Sequence, residues 1–265
     1  QKLINRQMLT GLFSGSASYT HAERDSFDML IVDEAHRLKK RHQYSKGGVN
    51  QIKEIIDAAR ASVFFIDEAQ QVTWQDIGDV EAIEAFAKAA NAELHHFTLN
   101  SQFRCGGSDD YLVWLDDTLG VRADDASYFS TVRYDFRIFD DPSKLHETIR
   151  DKNKTNNKSR MVAGYCWNWV SKSDPKQADL VFPEFRYQAQ WNLNQHAGTW
   201  IIQPDSVSEV GCIHTSQGLE VDYVGVIIGP DLVFRNGELT TDPSARAKTD
   251  KSLHGYKKAL NEDAA

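Results

Sequence analysis

Cysteine is scarce: three residues in 265, at positions 105, 166 and 212. They lie far apart, no C-x-x-C pair offers a zinc ligand set, and an odd number leaves no complete disulfide framework. Reduced thiols in a cytoplasmic protein are expected. Long apolar runs are missing as well. None approaches the roughly 20 residues that a membrane-spanning helix needs, and no signal peptide opens the chain, so no membrane partner is expected. Positive charge is the minority sign. With 30 Lys and Arg against 38 Asp and Glu the formal net charge is −8 and the pI is near 5.6. That argues against broad coating of nucleic acid and confines any such groove to a local patch. There is no internal repeat and no low-complexity tract. The first residue is Gln1, not Met, and a fragment of a longer protein is expected.

What is present alternates between helix and strand signals. Ile52, Ile55, Ile56 and Ala59 share one helical face behind Asn50 as N-cap. Val63–Ile66 reads as a buried strand, Asp79 caps a helix carrying Ile83, Phe86, Ala87 and Ala90, and 94–99 reads as a further strand. A helix from Ser108 stops at Gly120, and 121–133 looks like a connector. The pattern restarts with strand 134–139 and a helix opened by Asp141-Pro142. After it come a polar loop over 151–160 and strands at 161–165, 199–202 and 223–228, with no placement for 171–197 and a polar, mobile tail from Arg235. Such alternation predicts an α/β fold with mainly parallel sheets and helices on both faces. Two units are expected, 1–105 and 106–265.

The chemistry concentrates at strand ends. Leu30, Ile31 and Val32, read as a buried strand, deliver Asp33 and Glu34 to its carboxyl end, where open α/β sheets bind ligands. This is the layout of a Walker B site, in which the Asp holds Mg²⁺ and the Glu orients or deprotonates the attacking water. An acidic pair after a strand also serves as a plain helix N-cap, so the pair alone does not decide. Asp67-Glu-Ala-Gln70 ends the next strand and can place an amide donor near a γ-phosphate. Arg104, after 94–99, could neutralise charge on a transferring phosphoryl group, although an isolated arginine is usually a surface charge. In His214–Glu220, Gly218 permits close backbone approach and Glu220 could accept from a ribose hydroxyl. Three features carry bland readings beside functional ones. His36 either couples the site to its surroundings or only hydrogen-bonds Glu34; Trp167 and Trp169 beside Lys152, Lys154, Lys158 and Arg160 form a base-stacking platform or, the preferred reading, pack in the core; the basic run 37–43, read as a helix, touches phosphates or is solvated. The missing part is a phosphate cradle. G-x-x-x-x-G-K-[ST] does not occur, and the chain contains no Gly-Lys pair.

The segments LIVDEAHRL (30–38), GGVNQIKEII (47–56), SVFFIDEAQQVTWQDIG (62–78), LNSQFRCGGSDDYLVWLDD (99–117), SRMVAGYCW (159–167) and VGCIHTSQGLEVDYVGVIIGPDL (210–232) carry a specific resemblance. The sequence resembles a superfamily 1 DNA/RNA helicase core, and more closely bacterial proteins of the domain-of-unknown-function family 2075, related to the Schlafen helicase-like region. The resemblance covers nearly the whole chain and implies two RecA-like lobes, the first incomplete. By position Asp33 and Glu34 resemble motif II, Gln70 motif III and Arg104 the motif IV arginine. His214–Glu220 resembles motif V, with Gly218 and Glu220 at the nucleotide and His214 and Thr215 near the nucleic-acid strand. The implied activity is ATP-dependent movement along single-stranded DNA or RNA, with Mg²⁺ and ATP held by the full-length protein. Two family features, the upstream phosphate loop and a downstream T-R-G-like motif VI arginine, are absent from these 265 residues. An inactive fragment that binds neither cofactor tightly is therefore expected; the alternative is a noncatalytic module that binds nucleic acid or protein through a motor-like fold. No feature fixes an oligomeric state.

Overall fold

The computed structural model describes residues 11–40, 50–71, 73, 76–99, 109–120, 134–192, 197–216, 218 and 220–257. The chain divides into two compact units, one drawn from 1–99 with 252–265 and the other from 100–251.

The first unit is built on a strand–helix–strand segment. Strands β1 (Leu30–Val32) and β2 (Ser62–Phe64) pair in parallel, with Leu30 opposite Ser62 and Val32 opposite Phe64. Helix α1 (Gln51–Ala58) joins them, and the Asn50 side chain accepts from the Ile52 and Lys53 amides as its cap. Its 3.6-residue spacing puts Ile52, Ile55 and Ala58 on one face, and all three are buried with Leu30, Ala35, Leu38, Ala59 and Ile83. The last of these comes from helix α2 (Val80–Ala89), capped by Asp79 as its sequence predicts. Buried Gln51 pins the chain after β1: Oε1 accepts from the Lys39 backbone N–H, and the Gln51 backbone N–H donates to the Lys39 carbonyl. Strand β1 is not buried throughout, as the sequence suggested. Its side chains alternate, and Ile31 (68% exposed) and its register partner Val63 (38%) face away from the core.

The second unit has a three-stranded parallel sheet in the order β6-β3-β7. Strand β3 is Ser159–Ala163, β6 Val210–Gly211 and β7 Tyr223–Ile227. Helix α3 (Asp109–Leu119) ends at Gly120, whose φ of +65° is the left-handed geometry of a C′ glycine. Helix α4 (Pro142–Asn156) packs on the sheet through Leu145 and Ile149, and it absorbs most of the stretch expected as a loop. Residues 171–197, which the sequence did not place, contain a hairpin of β4 (Leu180–Phe182) and β5 (Tyr187–Ala189). A second hairpin, β8 (Leu232–Arg235) with β9 (Glu238–Thr241), occupies the start of the stretch expected as a mobile tail. Two other expected strands, 94–99 and 134–139, belong to no described strand, and 199–202 lies in a 3-10 helix. No described helix is long and apolar enough to cross a membrane.

Two buried charges organise this unit. Arg160 sits in β3 at 1% exposure, so it cannot belong to a basic surface loop. Its Nη1 donates to Asn153 Oδ1 (2.8 Å) and the Ser159 carbonyl (2.8 Å), and Nη2 to Asn157 Oδ1 (3.0 Å) and the Ile201 carbonyl (2.6 Å). Burial lowers its pKa, and the charge of Glu209 opposes that shift. Asp179 accepts from the Ser171 and Trp191 amides, both at 2.8 Å. Trp167 and Trp169 pack edge-on against Phe182 and Tyr165, the core role preferred from sequence.

Candidate functional site

Because β1 and β2 run in parallel and in register, the residues that follow them emerge side by side at one sheet edge. Asp33 and Glu34 leave β1; Asp67, Glu68 and Gln70 leave β2. The ladder continues past the strands through Phe65 N to Val32 O and Ala35 N to Phe65 O, both 2.9 Å. Between these two bonds Glu34 adopts φ 52°, ψ 44°, a left-handed conformation that costs a non-glycine residue about 1 kcal/mol or more. Asp33 Oδ1 accepts from the Glu34 amide at 3.0 Å and helps to hold that turn. A single 3-10 turn, Ala35–Arg37, follows. It replaces the start of the basic helix expected over 37–43; residues 41–43 lie outside the described residues.

His36 sits beneath this edge at 2% exposure. Its Nδ1 accepts from the Asp67 amide (3.4 Å) and its Nε2 lies 3.0 Å from Glu34 Oε2. Asp67 caps a second 3-10 turn, Glu68–Gln70, by accepting from Ala69 N, and Gln70 Nε2 donates to Asp67 Oδ2 at 2.9 Å. Hydrogen bonds therefore link His36, Asp67 and Gln70 across the two strand ends, with Glu34 Oε2 close to His36 Nε2. Gly78 closes the arrangement from below. A Cβ there would overlap the Ala35 carbonyl and the His36 Cα, and the Gly78 carbonyl accepts from Gln71 Nε2 at 2.9 Å. Sequence reading passed over Gly78; a glycine directly before a helix cap, at the end of a segment returning to the site, was the available signal.

The structure gathers Asp33, Glu34 and Gln70 at one edge. Arg104 lies outside the described residues. In the second unit His214 and Thr215 occupy a four-residue helical turn, α5 (Ile213–Ser216), at the carboxyl end of β6. His214 is exposed; Thr215 is half-buried, its Oγ1 3.4 Å from Cys212 Sγ. Gly218 has φ +72°, which glycine adopts without strain, and is exposed, as is Glu220. For Mg²⁺ the relevant donor is the exposed Asp33 carboxylate, a hard oxygen ligand. Among the described residues no three His, Cys, Asp or Glu side chains converge into a metal cage. The residues fit an ion held by one carboxylate together with water and phosphate oxygens, the usual habit of Mg²⁺.

The fold and this edge define an α/β protein with acidic groups at the carboxyl ends of parallel strands. Residues 2–265 match the Schlafen group 3 DNA/RNA helicase domain, and the chain belongs to that family. It is also similar to the uncharacterized protein YPL245W of Saccharomyces cerevisiae, at 24% identity over 229 residues. That match covers 78% of this chain and 50% of the yeast protein, so the chain spans about half the length of the curated relative it matches. No solved structure matches.

Proposed function

We propose that this chain is the central part of an ATP-dependent nucleic-acid helicase or translocase with a superfamily 1 core of two RecA-like lobes, near the bacterial domain-of-unknown-function family 2075. The observation that carries the reading is the parallel register of β1 and β2, which sets Asp33-Glu34 beside Asp67–Gln70 at one edge, with Glu34 in a left-handed turn. Strained backbone of this kind concentrates at functional sites. In this reading Asp33 holds Mg²⁺ with the nucleotide, Glu34 orients or deprotonates water, Gln70 senses the γ-phosphate and Arg104 stabilises transition-state charge. Gly218 and Glu220 contact nucleotide; His214 and Thr215 lie against single-stranded DNA or RNA.

The test uses the longer protein that carries this chain and a phosphate loop, at saturating single-stranded nucleic acid. Glu34→Gln binds ATP with parent affinity but slows single-turnover hydrolysis by roughly 10²–10⁴-fold. Arg104→Ala also cuts turnover, since its charge counts most where charge develops. If both variants hydrolyse at the parent rate, the ATPase reading falls and a noncatalytic binding module replaces it.

A further inference from the structure

The histidine after the acidic pair has two ring nitrogens with different partners, and the difference assigns its proton. Nδ1 faces the Asp67 backbone N–H at 3.4 Å and can only accept there. The ring proton therefore resides on Nε2, which lies 3.0 Å from Glu34 Oε2. Both Nε2 and Oε2 are buried, and neither has a hydrogen-bond partner of good geometry, because the approach between them is bent. Yet the Glu34 side chain as a whole is 30% exposed. One carboxylate oxygen is thus enclosed against the imidazole while exposed surface remains elsewhere on the side chain. Buried polar atoms left without a straight partner cost free energy. Bringing Oε2 into line with the Nε2–H would satisfy both at once, and catalytic hydrogen bonds often tighten in this way on ligand binding.

We infer that His36 is a positioning residue: as the neutral Nε2–H tautomer it fixes the Glu34 carboxylate through Oε2 and ties that orientation, through the Asp67 amide, to the turn that carries Gln70. The same imidazole spans both strand ends, so Glu34 and the Glu68–Gln70 turn adjust together. This inference rests on the ATPase reading for its catalytic consequence, but not for its geometry.

Two side chains separate its parts. Glutamine can place an amide donor where Nε2 stands; asparagine can place an acceptor where Nδ1 stands but does not reach Glu34. In the longer protein, His36→Asn and His36→Ala lower kcat for nucleic-acid-stimulated hydrolysis about tenfold or more, while KM for ATP stays within about threefold. His36→Gln restores kcat to within about threefold of the parent. In a Glu34→Gln background the His36→Asn loss disappears, because the carboxylate it acts through is gone; a merely structural role keeps the two losses multiplicative. Independently of hydrolysis, nitrogen-15 histidine spectra of the 265-residue chain show His36 protonated at Nε2 and bare at Nδ1, with assignment by the signal lost in His36→Gln. A proton on Nδ1, or a kcat loss from His36→Asn that persists undiminished in Glu34→Gln, overturns the inference. If Glu34→Gln itself leaves hydrolysis unchanged, the ATPase reading fails and the tautomer still decides the arrangement. Should His36→Ala fail to fold, the glutamine and asparagine variants carry the comparison.

Discussion

His146, buried in α4, shows how one side chain sets a pH dependence. Nε2 lies 2.8 Å from the Val207 carbonyl and so donates, leaving Nδ1 to accept from the Tyr187 hydroxyl at 3.0 Å. Burial pulls the His146 pKa below its ordinary value, Arg150 adds to the shift, and the Val207 carbonyl opposes it. The unfolded chain takes up a proton near pH 6.5, whereas the folded chain resists until a lower pH. The stabilisation is complete above the unfolded value and is lost as pH falls from there through the folded pKa, at no more than about 1.4 kcal/mol per pH unit. Urea unfolding between pH 7.5 and 5.5 therefore shows a midpoint that drops with acid. In His146→Gln, which can still donate to Val207, that drop is shallower; equal slopes in the two proteins refute the assignment. Burial acts likewise on Cys166, whose thiol is pushed up to about 12 by burial and by donation to Asp231, so it is no nucleophile at neutral pH.

At the scale of elements, caps and helical faces were readable because their physics is local. Asn50, Asp79 and Asp141 all accept from first-turn amides as their sequence positions imply. Asn50→Ala leaves Ile52 N and Lys53 N without that acceptor and destabilises the first unit by about 1 kcal/mol, measurable as a lower denaturation midpoint. Strand pairing was less legible. Residues 94–99 and 134–139 have strand-like composition, but no described neighbour offers them a ladder, and composition cannot supply a partner. Arg160 misled for a related reason. Its charge reads as surface, while six carbonyl and amide oxygens of Asn153, Asn157, Ser159, Ile201 and Gln203 receive its Nη1 and Nη2 in the interior. The last of these contacts is remote in sequence. Within the candidate site, Asp33, Glu34 and Gln70 were legible as strand ends; the part of His36 depended on which ring nitrogen meets the Asp67 amide, a fact of tertiary structure alone.

For the molecule as a whole, the absence of a Gly-Lys phosphate loop has a direct consequence. Without that motif, triphosphate charge lacks the lysine and nest of backbone N–H groups that a phosphate loop supplies, and Asp33 and Glu34 add negative charge of their own. Purified residues 1–265 should show negligible ATP hydrolysis with or without single-stranded nucleic acid. Vigorous stimulated turnover, abolished by Glu34→Gln, would mean that these residues suffice. The division into units of 1–99 with 252–265 and of 100–251 makes the first unit discontinuous in sequence.

The strand order β6-β3-β7 also governs the history of the chain on the ribosome. Strand β3 occupies the middle of its sheet, and both of its partners are encoded after it. Ser159–Ala163 emerges with two bare edges and must wait until 210–227 has been translated, several seconds at roughly 5–20 residues per second. A bare apolar strand invites intermolecular pairing in that interval. Arg160 stands second in it, a charge that guards the nascent strand against misassociation, and the acceptors at Ile201 and Gln203 that finally receive its guanidinium arrive just ahead of β6. The acceptors that enclose this charge thus become available only after the strand that carries it, in the order in which the chain is made.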